Sequence, residues 1–279
     1  MFSELNKIAL RARALALPLL LLGSCTIAPR VTVTTTDTGK ESAALADGKL
    51  FTTIWQQRAA EYRALCFQAY NIAQLRVDAL DQKDFDKPMA IMTDVDETAL
   101  DNSRYQAHQT LLGKDYDAES WYQWTAMGTA DTVPGALHFF KYAAQKGIEV
   151  FYVTNREEKE RAGTLANLKR YGFPFADNEH LMLKQEVSSK EPRRQSILEN
   201  HSLVMFVGDN LNDLSQVFEK KLPADRMNSV DSLKQFFGNR FIVLPNPVYG
   251  DWESSLYKFD RSLTAAQKDS VLRASLYSY

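Results

Sequence analysis

Short runs of consecutive apolar residues recur from residue 89 onward, separated by stretches in which apolar positions return every three or four residues. The runs are Met89–Met92, Ile148–Val153, Leu181–Leu183, Leu203–Val207 and Phe241–Leu244. Continuous apolar character, as opposed to strict alternation, predicts strands covered on both faces, the habit of a parallel sheet. The intervening segments Pro134–Lys146, Glu157–Tyr171, Lys190–Asn200 and Asn212–Lys220 predict helices, with Pro134 suited to a first turn and Gly147 and Gly172 to helix ends. Strands alternating with helices imply an α/β fold, a parallel sheet flanked by helices.

Three regions stand outside this alternation. From Leu50 to about Leu80, Phe51, Trp55, Tyr62, Leu65, Cys66, Ala69 and Ile72 recur at helical spacing and predict one amphipathic helix, broken at most once. Residues 102–131 are polar and aromatic, with Tyr105, Tyr116, Trp121, Tyr122 and Trp124. Residues 245–279 carry Tyr249, Trp252, Tyr257 and Phe259. The last two regions are candidates for a cap over the sheet.

The first residues read as an address. Lys7, Arg11 and Arg13 precede a short apolar stretch, Ala14 to Leu22, too short to span a bilayer comfortably and ending in small residues. Leu22-Gly23-Ser24-Cys25 resembles the lipobox of bacterial lipoproteins, in which the Cys is lipidated after cleavage. An ordinary secretory signal with Cys25 incidental is the competing reading. The organisation expected is a signal peptide over 1–24, a Thr/Ser/Ala/Gly-rich tether over 25–47, and a globular domain over 48–279 whose N-terminal helix runs from about 48 to 82. Lipid chains at Cys25 would anchor the protein to a membrane, each buried methylene contributing about 0.8 kcal/mol. The expected location is then a bacterial cell envelope, on the periplasmic or surface face of an outer membrane.

Composition narrows the partners. A hydrophobic content of 45% and a charged content of 24% suit an ordinary globular chain, and a net charge of −2 offers no basic field for a nucleic-acid polymer. With Cys25 lipidated, Cys66 is the one remaining thiol, which excludes an intrachain disulfide and a cysteine zinc site. Its helical, apolar setting reads as core.

Ligands of an open parallel sheet bind beyond the carboxyl ends of its strands. There the chain places Asp94 and Asp96 after the first run, Thr154 and Asn155 after the second, and Asp209 and Asp213 after a later one. A carboxylate nucleophile can take up a phosphoryl group and divide hydrolysis into two easier steps. A second carboxylate two residues on can protonate the leaving oxygen and later deprotonate water. A hard cation such as Mg2+ would neutralise the repulsion between phosphate and carboxylates. An isolated Asp-x-Asp is a weak signal; three acidic or hydroxyl-bearing strand ends in this order are a strong one.

With those motifs the chain resembles the class C nonspecific acid phosphatases, of the outer-membrane lipoprotein e type, in the haloacid dehalogenase superfamily. The resemblance runs from about residue 50 to Trp252. It rests on Asp94-Val95-Asp96-Glu97-Thr98-Ala99-Leu100-Asp101-Asn102-Ser103, Val133-Pro134-Gly135-Ala136, Val150 to Arg156, Gly208 to Asp213, and Leu244-Pro245-Asn246-Pro247-Val248-Tyr249-Gly250. It implies a Rossmann-like core with a smaller, mainly helical cap. It also implies Asp94 as nucleophile and Asp96 as general acid/base, with Mg2+ held by Asp94, Asp96 (through its main-chain carbonyl), Asp209 and Asp213. Thr154 and Asn155 would bind phosphate together with Lys190, for which Lys184 is the alternative. His108, His138, His180 and His201 lie outside the motifs, which disfavours a histidine nucleophile.

The resemblance further implies phosphomonoester substrates gripped by aromatic stacking, nucleoside monophosphates and nicotinamide mononucleotide among them. Tyr249 falls on one such ring and Trp121 on the other, with Trp124 a competitor, and Asn102 is a candidate contact to substrate or metal-bound water. Stacking supplies about 1–3 kcal/mol per base and tolerates different bases. A homodimer is compatible with this reading. A dehalogenase is disfavoured because a halide needs no acid like Asp96; a catalytically silent lipoprotein binding a ligand or haem is the alternative from another class.

Overall fold

The computed structural model describes residues 43–279, with side chains from residue 48 onward. The signal over 1–24, Cys25 and the tether up to residue 42 lie outside the described residues. Among those described, no helix is long and apolar enough to cross a membrane.

The core is a five-stranded sheet in the order β5-β4-β1-β6-β7. Its strands are β1 (Met89–Thr93), β4 (Glu149–Val153), β5 (Leu181–Met182), β6 (Ser202–Gly208) and β7 (Phe241–Val243), and all of its pairings are parallel. Every residue of β1 is buried, which is why its sequence is continuously apolar: it is the middle strand, with β4 on one side and β6 on the other. The chain winds from β1 towards β4 and β5, then returns to β6 and β7. The carboxyl end of β1 is therefore a topological switch point, where a crevice opens.

Helices cover both faces. On one, α5 (Ala136–Gln145) buries Ala136, Phe139, Phe140 and Ala143, and α2 (Ala60–Asp78) buries Tyr62, Cys66, Tyr70, Ala73 and Val77. On the other, Ile197 of α7 (Glu191–Asn200) packs with Met92, Val153 and Phe206. The N-terminal helical region is divided at Ala59, whose extended ψ of 126° ends α1 (Ala43–Arg58) before α2 begins. Of the positions at helical spacing, Phe51 and Leu65 face outward, while Tyr70 and Val77 complete the buried stripe. The helix expected over Asn212–Lys220 is instead one turn, α8 (Leu211–Leu214), and a 3-10 turn, because Ser215 is extended and its hydroxyl accepts the Val217 N–H at 3.3 Å.

The aromatic segment is an insertion with a two-stranded neck. β2 (Leu100–Asp101) and β3 (Asp131–Thr132) pair antiparallel and enclose α3 (Ser103–Leu111) and α4 (Ala118–Met127). Neither the neck nor α9 (Pro223–Ser232) is visible as a pattern in the sequence. α1 packs on α3 and on α11 (Ala265–Ala274). Asp115, between α3 and α4, pairs with Lys49 of α1 and, at 3.5 Å, with Lys268 of α11. The helices beyond the sheet thus meet beside its carboxyl ends. At its amino ends, Glu149 joins His180 at 3.2 Å and His201 at 3.1 Å, away from the crevice.

Gly163, in α6 (Arg161–Tyr171), lets the insertion seat on the core, since a Cβ there would lie 2.2 Å from the Thr125 carbonyl oxygen of α4. Gly163→Ala is expected to cost about 1–3 kcal/mol by overpacking, a fall in Tm of about 2–4 °C per kcal/mol. An unchanged thermal transition would show that α4 does not rest on α6 in this way.

Candidate active site

Three strand ends deliver charge to one crevice. Asp94 directly follows β1, and its main-chain N–H continues the pairing by donating to Val207 at 2.9 Å. Its carboxylate is paired with Lys190, which precedes α7 and is 3% exposed. The same ammonium lies 2.7 Å from Asp213 Oδ1. Lys184 turns away to pair with Glu157 at 2.8 Å. Of the two lysines left open by the sequence, Lys190 is the one brought to Asp94.

Asp209 and Asp213 flank the turn after β6. Gly208 permits their close approach, since a Cβ there would fall 2.4 Å from the Asp213 Cβ. Asp213 Oδ2 accepts the Asn210 N–H at 3.0 Å, closing a capping box on α8. Asp209 accepts from Asn246 Nδ2 at 2.8 Å and Thr98 Oγ1 at 3.2 Å. Arg226 of α9 holds the turn through Asn210 Oδ1 at 2.8 Å and Asn212 Oδ1 at 3.0 Å.

Asp94, Asp209 and Asp213 each offer an oxygen within 4.8 Å of the others. So dense a cluster is electrostatically unfavourable when buried. Loss of hydration pushes the Asp94 carboxyl well above its ordinary value against the pull of Lys190, and Asp213, Asp209 and Asp96 add to the rise. Burial, then Asp213, pushes Asp209 up to about 7, although the Asn246 amide and Lys190 pull the other way. Burial draws Lys190 down, but Asp213 and Asp94 outweigh it and hold the ammonium above its ordinary value.

Asp96 has different surroundings. Arg156, fully packed away, reaches Asp96 Oδ1 from Nη2 at 2.7 Å and Oδ2 from Nε at 3.2 Å. Asn102 Nδ2 donates to Oδ1 at 2.8 Å, and Thr154 Oγ1 lies 3.5 Å from Oδ2. The Asp96 carboxylate is not part of the three-residue oxygen cluster. Asn155 is exposed, and its side-chain oxygen accepts from Arg193 Nη2 at 2.9 Å. Arg193 also donates to the Thr154 carbonyl, so it braces the end of β4.

Of the two tryptophans left open by the sequence, Trp121 is the more enclosed. That ring is only 9% exposed, packed edge to face on Tyr105 at 5.0 Å with the Arg156 guanidinium 5.6 Å from its centre. Little of it is left for a substrate. Trp124 is half-buried and donates its indole N–H to Asn102 Oδ1 at 2.8 Å. Tyr249 is half-buried and donates its hydroxyl to Glu97. Glu97 itself is buried at a left-handed φ of 55° and accepts the Asn102 main-chain N–H at 2.9 Å.

Arg156, Arg193, Arg226, Thr98 and Asn246 carry this geometry without having been singled out for it from the sequence. Arg156, Thr98 and Asn246 sit inside motif runs, which was the available signal; Arg193 and Arg226 lie on helices and had none.

A family profile described as HAD superfamily, subfamily IIIB (acid phosphatase) matches residues 22–252. A structure of the class C acid phosphatase from Bacillus anthracis superposes with a TM-score of 0.81 at 40% identity, covering 84% of this chain and 99% of that one. A second structure of it, with tungstate bound, matches with a TM-score of 0.81 at 39% identity and the same coverage. Acid phosphatase 1 of Solanum lycopersicum is 29% identical over 164 residues, 56% of each protein, so this chain spans little more than half the length of that relative.

Asp209, at about 7, lies above the ordinary carboxylate value of about 3.9. The folded chain therefore binds more protons than the unfolded one between those values, and stability falls as pH rises through the window. The EDTA-treated protein is expected to melt lower at about pH 7.5 than at about pH 5. Asp209→Asn should flatten that dependence and raise Tm at the higher pH by about 2–6 °C, at about 2–4 °C per kcal/mol. A variant offset that does not change with pH would overturn this account.

Proposed function

Because the chain belongs to the acid phosphatases of HAD subfamily IIIB, the class C type, we propose that it hydrolyses phosphate monoesters through an aspartyl-phosphate intermediate. The observation that carries this is the pairing of buried Lys190 with both Asp94 and Asp213 at the end of β1 and β6. Asp94 attacks phosphorus as the bond to the ester oxygen breaks. The bonding pair leaves with that oxygen, which takes a proton from Asp96. Asp96, now a carboxylate, then accepts a proton from the water that cleaves the acyl phosphate. Lys190 and Thr154 stabilise the phosphoryl oxygens.

The residues fit a magnesium ion. Asp94, Asp209 and Asp213 form an all-oxygen donor set, the chemistry Mg2+ prefers. One ammonium does not neutralise three carboxylates, and burial, then Asp213, holds Asp209 above its ordinary value. When bound, the ion would supply the charge that lets an anionic substrate approach an anionic nucleophile.

Nucleoside 5′-monophosphates, nicotinamide mononucleotide included, are the proposed substrates, with Tyr249 and Trp124 offering ring surface beside the site. Tungstate on the Bacillus anthracis enzyme is a tetrahedral oxyanion like phosphate, which supports the class of ligand. The N-terminal pattern through Cys25 supports a lipid-anchored protein of the bacterial cell envelope. The intact acidic set speaks against a catalytically silent lipoprotein.

Hydrolysis of p-nitrophenyl phosphate and of nucleoside monophosphates at mildly acidic pH is expected, lost on chelation and restored by magnesium. Asp94→Asn should reduce kcat by at least about 10³-fold, and Tyr249→Ala should weaken nucleotides more than p-nitrophenyl phosphate. Activity with every divalent metal withheld, or none with any supplied, would sink the proposal. In fractionated cells Cys25→Ser should move the protein out of the membrane pellet; continued sedimentation with membranes would remove the lipid anchor.

A further inference from the structure

Two aromatic side chains far apart in sequence send their polar atoms into one short loop. Trp124 of α4 donates to Asn102 Oδ1 at 2.8 Å. Tyr249, in the loop after β7, donates to Glu97 Oε2, and the other Glu97 oxygen accepts the Asn102 main-chain N–H at 2.9 Å. Asn102 is thus held by both its backbone and its amide. An indole N–H can only donate, so the amide oxygen must face Trp124 and the NH2 group must face Asp96. That NH2 lies 2.8 Å from Asp96 Oδ1.

The contact decides which Asp96 oxygen is free. Oδ1 takes Asn102 Nδ2, Arg156 Nη2 at 2.7 Å and Arg156 Nε at 3.1 Å. Oδ2 has only the longer contacts, 3.2 Å to Arg156 Nε and 3.5 Å to Thr154 Oγ1. A transferable proton belongs on the oxygen with spare lone pairs, Oδ2. We infer that Trp124 and Tyr249 are positioning residues for the general acid: through Asn102 and Glu97 they hold Oδ1 as an acceptor and present Oδ2 to the leaving group. The inference rests on the phosphatase reading of the site and adds to the rings a role separate from stacking.

Its consequence depends on the leaving group. When the P–O bond breaks, its electron pair goes to the ester oxygen, which in an alkyl ester must take the Asp96 proton as it departs. In p-nitrophenyl phosphate the charge delocalises into the ring, and the phenolate leaves without that proton. Glycerol 2-phosphate is an alkyl ester with no ring to stack, so its hydrolysis reads the positioning of Asp96 alone.

The test compares wild type, Trp124→Phe and Tyr249→Phe on glycerol 2-phosphate and p-nitrophenyl phosphate, with added magnesium at the wild-type optimum. A positioned general acid contributes about 10²–10⁴-fold, so kcat/KM on glycerol 2-phosphate, which reads the steps up to P–O cleavage and not the shared hydrolysis of the aspartyl phosphate, should fall about 10–100-fold in each variant. On p-nitrophenyl phosphate kcat/KM should change less than about threefold. Equal losses on both substrates, or no loss on either, overturn the inference and leave the phosphatase reading standing. A wild-type chain inactive on both substrates removes that reading and the inference with it. Should Trp124→Phe fail to melt cooperatively, Tyr249→Phe, which deletes a single oxygen, decides the matter.

Discussion

One buried ammonium between carboxylates is the constraint on which the crevice is built. Lys190 touches Asp94 and Asp213 while Asp209 stands within reach of both. Withdrawing charges from water costs several kcal/mol per ion, and removing one partner of a buried pair costs about 3–5 kcal/mol. The surrounding structure therefore has to be exact in its placement. Gly208 must lack a side chain for Asp213 to fold back against the strand, and α9 must send Arg226 under the turn. Such a cluster is poor as a source of stability and well suited to holding an ion and a phosphate.

Asp96, only two residues from Asp94, is held by different neighbours. Asp94 is desolvated among like charges; Asp96 is gripped by a guanidinium and an amide. Two carboxyl groups of one loop can divide nucleophilic and proton-transfer duties when their environments differ in this way. The insertion and the loop after β7 both reach this loop, where Trp124 and Tyr249 end in hydrogen bonds. Both segments are thus hydrogen-bonded to the loop that carries Asp96.

Much of this was legible in the chain. Five apolar runs became five strands, since residues buried on both faces leave no polar alternation to confuse the pattern. The acidic residues at their ends were readable because ligands of a parallel sheet bind beyond the carboxyl ends of its strands. The insertion was harder. Its aromatic richness marked it, but which ring packs inward is a matter of contacts. Trp121 found Tyr105 and Arg156, and so lost the exposure that Trp124 keeps. The stretch after Asp213 failed as a long helix because Ser215 left helical geometry to cap the next turn, a local hydrogen bond that periodicity does not register.

The sequence by itself determined the five core strands, the acidic strand ends and the family to which their spacing belongs. These are properties of residues near one another in the chain, where burial on two faces and backbone chemistry act over a few positions. Tertiary structure alone decided that Lys190 and not Lys184 meets Asp94. It also decided that Arg156 clasps Asp96, that Asn246 supports Asp209, and that Trp124 and Tyr249 converge on the loop of Asn102 and Glu97. Those contacts join residues dozens of positions apart. Each depends on where a folded sheet and its cap bring a side chain, and on whether a buried charge or polar atom finds its partner there.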